Sequence, residues 1–242
     1  MPVFKIKSQR LLCDNVYEMK LAGDTSEITA PGQFVNLKLP EFYLRRPISV
    51  CDCTEDGLTL IYKVVGQGTE KMSSLPDEYE IDILTGLGNG FTVKESKKCV
   101  VVGGGVGVPP LYMLCKRLIE KGVKPVAVLG FASKKDVFYE DEFKALGVEV
   151  KIATNDGSCG AKGFVTDILD GMDFDTLYAC GPMPMLKALC KYDAECQLSL
   201  EERMGCGFGA CMGCSIQTKD GYKRVCKDGP VFDKEVLLWD TI

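Results

Sequence analysis

"KKCVVVGGGVGVPPLYMLCKRLIEKG", residues 97–122, reads as a buried strand, a glycine turn and an amphipathic helix. A short unbroken apolar run that ends in glycine suits a strand covered on both faces, the habit of parallel sheets. Pro109 or Pro110 can open the helix, because the first N–H groups of a helix need no intrahelical partner. The alternation continues downstream. Strands at 125–133, 148–154 and 175–181 interleave with helices near 139–146, 163–169 and 183–191. Strands alternating with helices predict a doubly wound parallel sheet.

Upstream the period changes. QFVNLKL (33–39), RPISVCD (46–52), LTLIYKVV (58–65) and EIDILT (80–85) are short β-branched or apolar runs separated by turn signals such as Pro31-Gly32. Their spacing predicts an antiparallel barrel or sandwich. The pattern switches near residues 94–98, and from Cys196 onward the chain has few helix signals. The expected architecture is therefore α+β in three units: a β-barrel domain at 1–95, an α/β domain at 96–195 and a cysteine-bearing segment at 196–242.

Composition removes several function classes. A net charge of -5 with no basic stripe argues against nucleic-acid binding. No apolar run reaches membrane-spanning length, and the N-terminus lacks the order of a signal peptide, so the expectation is a cytoplasmic protein. Histidine is absent, which excludes histidine triads, HExxH zinc sites and Rieske clusters together. Of the thirteen cysteines, those such as Cys99, Cys115 and Cys190 sit in apolar runs and read as small buried hydrophobes.

Four places carry candidate chemistry. Gly103, Gly104, Gly105 and Gly107 stand where a strand turns into a helix, an arrangement that lets main-chain N–H groups approach a pyrophosphate. Taken singly, a tight structural turn explains them equally well. YACGPMPMLKAL (178–189) supplies a second such turn through Cys180, Gly181 and Pro182, and two turns at the ends of parallel strands are expected to face one crevice, with Cys180 at its mouth. In the first unit, Arg46 and Ser49 flank an extended turn, and Gly66, Gly68 and Thr69 open a helix; an arginine and a helix start both suit a diphosphate, although read separately an ordinary basic loop and a capped helix start explain them better. Finally, Cys206, Cys211, Cys214 and Cys226 form C-x4-C-x2-C with a later fourth cysteine, the spacing of a plant-type [2Fe–2S] site. Glycines crowd this stretch, so main-chain N–H groups can point at negative sulfur. Zinc and disulfides are the alternatives that spacing alone leaves open.

The order RPIS, IYKVVGQGT, LGNGF, GGGVGVPPL, CGPMPML resembles the ferredoxin–NADP reductase superfamily over nearly the whole chain. The resemblance implies FAD held by Arg46, Pro47, Ile48 and Ser49, by Ile61, Tyr62 and Lys63, and by Gly68 and Thr69. It implies NAD on the Gly103–Gly107 turn and on Cys180, Gly181 and Pro182. Ser49, whose hydroxyl suits a hydrogen bond to flavin N5, and Cys180 are the expected catalytic residues. Two departures stand out: Thr85-Gly86 where relatives often carry Gly-Pro, and Lys63 where they often carry arginine. SLEERMGCGFGACMGC (199–214) and KRVCKDGPVFD (223–233) look most like the electron-transfer subunits of NAD-dependent dihydroorotate dehydrogenase. That likeness implies four [2Fe–2S] ligands at Cys206, Cys211, Cys214 and Cys226, and an FMN-containing catalytic partner in a complex of two plus two. Diaphorase subunits of an NADH-dependent ferredoxin:NADP oxidoreductase, a sulfide dehydrogenase or a hydrogenase share much of the motif set and form the alternative. The run at Ser133, Lys134 and Lys135 reads as a solvated charge run rather than a 2′-phosphate site, and TNDGSCGAKGFVTD (154–167) resembles the NAD-using relatives, a likeness that implies NAD over NADP.

Overall fold

A computed structural model describes residues 3–241. The outer limits expected at 1 and 242 lie outside the described residues. Six antiparallel strands close the first barrel: β1 (Val3–Cys13), β2 (Val16–Ala22), β3 (Phe34–Leu37), β4 (Arg46–Cys53), β5 (Gly57–Lys63) and β6 (Glu80–Leu87), in the order β1-β2-β5-β4-β3-β6. Closure removes the exposed sheet edges that would otherwise invite mispairing. Alternate residues of each strand point inward, and Phe4, Ile6, Val35, Leu37, Leu58, Leu60, Tyr62, Ile81 and Ile83 fill the interior. The helix expected after Gly66 is α1 (Gln67–Ser73).

The second body is a seven-stranded sheet. Its strands are β7 (Cys99–Gly104), β8 (Val126–Phe131), β9 (Glu149–Thr154), β10 (Ala161–Lys162), β11 (Thr176–Cys180), β12 (Glu195–Ser199) and β15 (Val231–Asp233), ordered β10-β9-β8-β7-β11-β12-β15. All pairings are parallel except β12 with β15. Helices α2 (Pro109–Glu120) and α3 (Glu140–Ala145) cover one face through Leu111, Leu114, Leu118 and Phe143. On the other face lie α4 (Val165–Leu169) and α5 (Met183–Leu189), through Val165, Leu169, Leu186 and Leu189. This is the doubly wound arrangement expected from the strand–helix alternation. The strand order reverses between β7 and β11, and open α/β sheets place their ligand crevice at such a switch point.

The last segment does not stand apart from this sheet. The division expected between residues 195 and 196 falls inside β12, because QLS is a buried β-run that pairs with β11, and β15 then pairs with β12. Between them the chain leaves the sheet to form the cysteine loop and a hairpin, β13 (Ser215–Thr218) and β14 (Gly221–Arg224). No helix among the described residues is long and apolar enough to cross a membrane.

Candidate functional site

The nucleotide side is built first by close approach. Cys180 at the end of β11 lies in register with Gly103 of β7 on one side and Ser199 of β12 on the other. A Cβ at Gly107 would collide with the Cys180 carbonyl, so only glycine lets the two turns meet. Together they floor a cleft of about 470 Å³, lined in part by Gly104, Gly105, Phe131, Asn155, Pro182 and Met185. Cys180 itself is 3% exposed and lies beneath the turn rather than at the mouth where it was expected. Burial first, then the negative charge of Glu201, push its thiol up to about 12. It is a neutral thiol at physiological pH.

The barrel side presents β4 and α1. Arg46 lies with its guanidinium in the space that a side chain at Gly68 would fill, and it rests over the Phe42 ring, 4.8 Å from its centroid. The Thr69 hydroxyl accepts from the Val65 N–H at 2.9 Å and so shapes the start of α1. Arg46, Gly68 and Thr69 are thus brought together. Pro47 and Ser49 face Asn36 and Phe34 of β3, and Ile48 packs toward the barrel core. On β5 the three expected residues diverge. Tyr62 is buried in the barrel, stacked 6.0 Å from Tyr17 and donating to Gln9 Oε1 at 2.7 Å. Ile61 packs in the core shared with α2, and only Lys63 reaches solvent. Ile61 and Tyr62 therefore offer a ligand their main chain, not their side chains. At Thr85-Gly86, β6 carries an extra residue across from β3, since Phe34 pairs with Leu87 but Asn36 pairs with Leu84.

The four thiols pair off. The Ala210 and Cys211 N–H groups donate to Cys206 Sγ at 3.2 and 3.4 Å, and the Cys226 N–H donates to Cys214 Sγ at 3.4 Å. Cys214 and Cys226 are buried beside Phe34 and Phe232, Cys206 is half-buried and Cys211 is exposed. For Cys206, burial pulls the thiol upward, but main-chain N–H groups of Cys211, Phe208 and Ala210 outweigh it and bring it down to about 6. All thirteen cysteines are free, which removes the disulfide alternative in this structure. Donors aimed at sulfur and two cysteine pairs fit a two-iron cluster, in which each iron takes two thiolates. Among the described residues no group of three Cys, Asp or Glu side chains is placed to hold a single metal ion, as a zinc site would need.

Several residues that position this loop went unread in the sequence. Arg224 Nη1 donates to the Gly209 carbonyl at 3.0 Å while its Nε donates to Asp228 Oδ2 at 3.1 Å, tying the loop to the chain after Cys226. Asn89, within LGNGF, donates to the Lys227 and Asp228 carbonyls at 3.1 and 3.2 Å. Asn36 on β3 donates from Nδ2 to the Cys206 carbonyl at 3.0 Å. Asparagine inside a buried β-run was the only available signal for it, since that residue is depleted in strands.

Comparison with known proteins agrees with this geometry. Residues 201–238 match the iron–sulfur cluster binding domain of dihydroorotate dehydrogenase B, and residues 101–191 match the oxidoreductase NAD-binding domain. The chain is 45% identical to the electron transfer subunit of dihydroorotate dehydrogenase B (NAD(+)) of Bacillus mycoides strain KBAB4, over 96% of this chain and 97% of that one. The subunit of the same name from Bacillus cereus strain G9842 matches at the same identity and coverage. Among solved structures, the NADH-dependent reduced ferredoxin–NADP oxidoreductase aligns with a TM-score of 0.89 at 32% identity, covering 98% of this chain and 90% of that chain. The ferredoxin reductase of carbazole 1,9a-dioxygenase, at 17% identity and a TM-score of 0.66 over 78% of this chain and 63% of that one, shares the fold. With cluster loop, nucleotide crevice and barrel all in place, the chain belongs to the family of dihydroorotate dehydrogenase B (NAD(+)) electron transfer subunits.

Proposed function

We propose that the chain serves an FMN-containing dihydroorotate dehydrogenase subunit, passing electrons from that FMN through [2Fe–2S] and FAD to NAD+. One placement carries the reading: the cluster loop rests on β3, the strand hydrogen-bonded to the Arg46–Ser49 strand, so the cluster and flavin sites share one barrel face. A flavin exchanges two electrons with a nicotinamide and single electrons with a cluster, which is the chemistry FAD supplies here.

The chain's own residues do the holding. Arg46, together with the start of α1 at Gly68 and Thr69, binds the diphosphate, and the exposed ammonium of Lys63 neutralises phosphate as a point charge. Pro47, Ile48 and the main chain of Ile61 and Tyr62 would wall the flavin ring, and the Ser49 hydroxyl would be the donor toward flavin N5. The turn that Gly103 and Gly104 lead into, through Gly105 and Gly107, together with Gly181 and the start of the Pro182 helix, would hold the NAD pyrophosphate. Cys180, neutral and buried, would support from below the turn that holds the nicotinamide nucleotide. Cys206, Cys211, Cys214 and Cys226 would hold the [2Fe–2S] cluster, Cys206 with Cys211 and Cys214 with Cys226 supplying the two thiolate pairs. Ser133 donates to Asp136 Oδ2 at 2.8 Å and Ser158 donates to Asp156 Oδ1 at 2.6 Å. The Ser133 and Ser158 hydroxyl protons are thus engaged by carboxylates rather than free for a 2′-phosphate, which supports NAD over NADP.

The complex is read as two copies of each subunit in the cytoplasm, with the chain divided functionally into a barrel at 1–95, a nucleotide unit at 96–195 and a cluster unit at 196–242. Anaerobic purification with the FMN subunit tests the reading. Dihydroorotate should reduce NAD+ only when both subunits are present, and the complex mass should equal two of each. A second reading, a subunit of an electron-bifurcating ferredoxin–NADP oxidoreductase, draws support from the 0.89 TM-score at 32% identity. Co-purification with a subunit that reduces NADP+ from NADH and reduced ferredoxin, with no dihydroorotate activity, would establish that reading instead.

A further inference from the structure

Among the described residues, Asn36 is the one buried polar side chain of the barrel with a hydrogen bond to the cluster loop. It is 1% exposed, and its Nδ2 donates to the main-chain carbonyl of the ligand Cys206 at 3.0 Å. The fit leaves no room for another arrangement. Gly207 has φ +80, and a side chain there would strike Asn36 Nδ2. On its own strand Asn36 is clamped: Arg45 Nη1 donates to the Asn36 carbonyl at 3.2 Å, and Arg45 also grips Asp82 through Nη2 at 2.8 Å. Arg45 adjoins Arg46, and Asn36 pairs across the sheet with Pro47. One residue therefore touches the cluster ligand on one side and the flavin strand on the other.

Fold stability alone does not account for an asparagine here. Asn36 Oδ1 is buried without a hydrogen-bond partner, and asparagine is depleted in strands. An apolar β-branched residue would suit the barrel better. The carboxamide is instead matched to the main-chain carbonyl of Cys206.

We infer that Asn36 is a positioning residue for electron transfer: its amide pins the Cys206 main chain to the flavin-bearing face of the barrel and holds the cluster's potential up. No bond is made or broken at Asn36; it fixes where the first cysteine ligand sits, and its hydrogen bond to that ligand's carbonyl draws electron density away from the ligand, which favours the reduced, more negative cluster. The inference rests on the reading of Cys206–Cys226 as the cluster site.

The test uses the purified full chain, anaerobic and loaded with FAD and cluster, as Asn36→Val and Asn36→Ser. For N36V we expect iron, sulfide and FAD contents equal to the parent chain and an FAD reduction rate by NADH within about twofold. Its cluster, followed by EPR and visible absorption in a redox titration, should become about tenfold harder to reduce, a fall of about 59 mV for a one-electron couple. N36S, which keeps a donor hydroxyl, should recover most of that shift. An unchanged potential and EPR signature in N36V would overturn the inference, as would N36S behaving like N36V. Loss of FAD and cluster together with early unfolding in both variants would also overturn it, by making Asn36 a general fold residue. Absence of iron and sulfide from the parent chain is a separate result that defeats the cluster reading itself.

Discussion

Lys116 Nζ donates to both carboxylate oxygens of Asp52, at 2.7 and 2.9 Å, and so bolts helix α2 of the nucleotide domain to strand β4 of the barrel. Helix α2 begins at the glycine turn, and β4 begins at Arg46, so this ion pair is one of the ties that set the pose of the nucleotide crevice against the flavin strand. Both partners are partly shielded from solvent, which makes the pair more than a surface contact.

Replacing Lys116 with Met should therefore act on geometry as well as stability. It leaves a half-buried carboxylate without its cation, at a cost of about 1.5–3 kcal/mol. FAD reduction by NADH should slow by roughly 10- to 100-fold because misplaced reactants lose their orientation. Stopped-flow absorbance and calorimetry read the two effects, and equal hydride-transfer rates in K116M and parent would sink the idea.

Glu18 ties the domains at a second point and makes acid stability a readout. The side chain is 3% exposed, accepts from Arg10 Nε at 2.7 Å and accepts from the Tyr139 hydroxyl at 2.8 Å. Burial pushes its carboxyl up, but bonds from Arg10 and Tyr139 outweigh that and hold it below the usual range. Because the folded value is depressed, its stabilisation is fully present above the unfolded carboxylate value of about 4.3 and is lost as pH falls through the folded value. E18Q should unfold more readily at pH ~7, by about 1.5–3 kcal/mol, and show a flatter loss of stability below pH ~4.3. Parallel acid slopes in urea titrations of the two proteins would count against this.

Gly107→Ala should separate nucleotide binding from the rest of the molecule. The new Cβ collides with the Cys180 main chain, so the turn after β7 and the end of β11 must move apart at the crevice floor, at about 1–3 kcal/mol. NADH should reduce FAD slowly in this variant, while dithionite still reduces flavin and cluster. Parent-like NADH kinetics would show that the two turns do not need this close approach.

Serine at Cys214 or Cys226 should abolish the cluster's visible absorption and leave FAD bound, because the inner pair lies in the segment after β12 and not on β4 or α1. Serine at Cys53, on the barrel away from the loop, should leave about two irons per chain. Iron retained at parent level in C226S would remove that residue from the ligand set.

The chemistry was largely legible along the chain because it depends on local spacing. Glycines between an apolar strand and a proline-led helix, and cysteines at C-x4-C-x2-C, carry their meaning within a few residues. The alternation of short apolar runs with helical runs was equally enough for a parallel sheet, since burial on both faces leaves its mark on every strand. Three things depended on residues far apart in sequence. Tyr62 turns into the barrel because its strand's alternation puts it with Leu58 and Leu60, so its side chain is lost to the flavin. The last segment joins the α/β sheet because Gln197 and Leu198 find β15 more than thirty residues later, across the whole cysteine loop. And Asn36 meets Cys206 only when the closed barrel brings residues 170 apart within a hydrogen bond. Local patterns name which cofactors a chain can hold; how close those cofactors sit is decided by packing between distant segments.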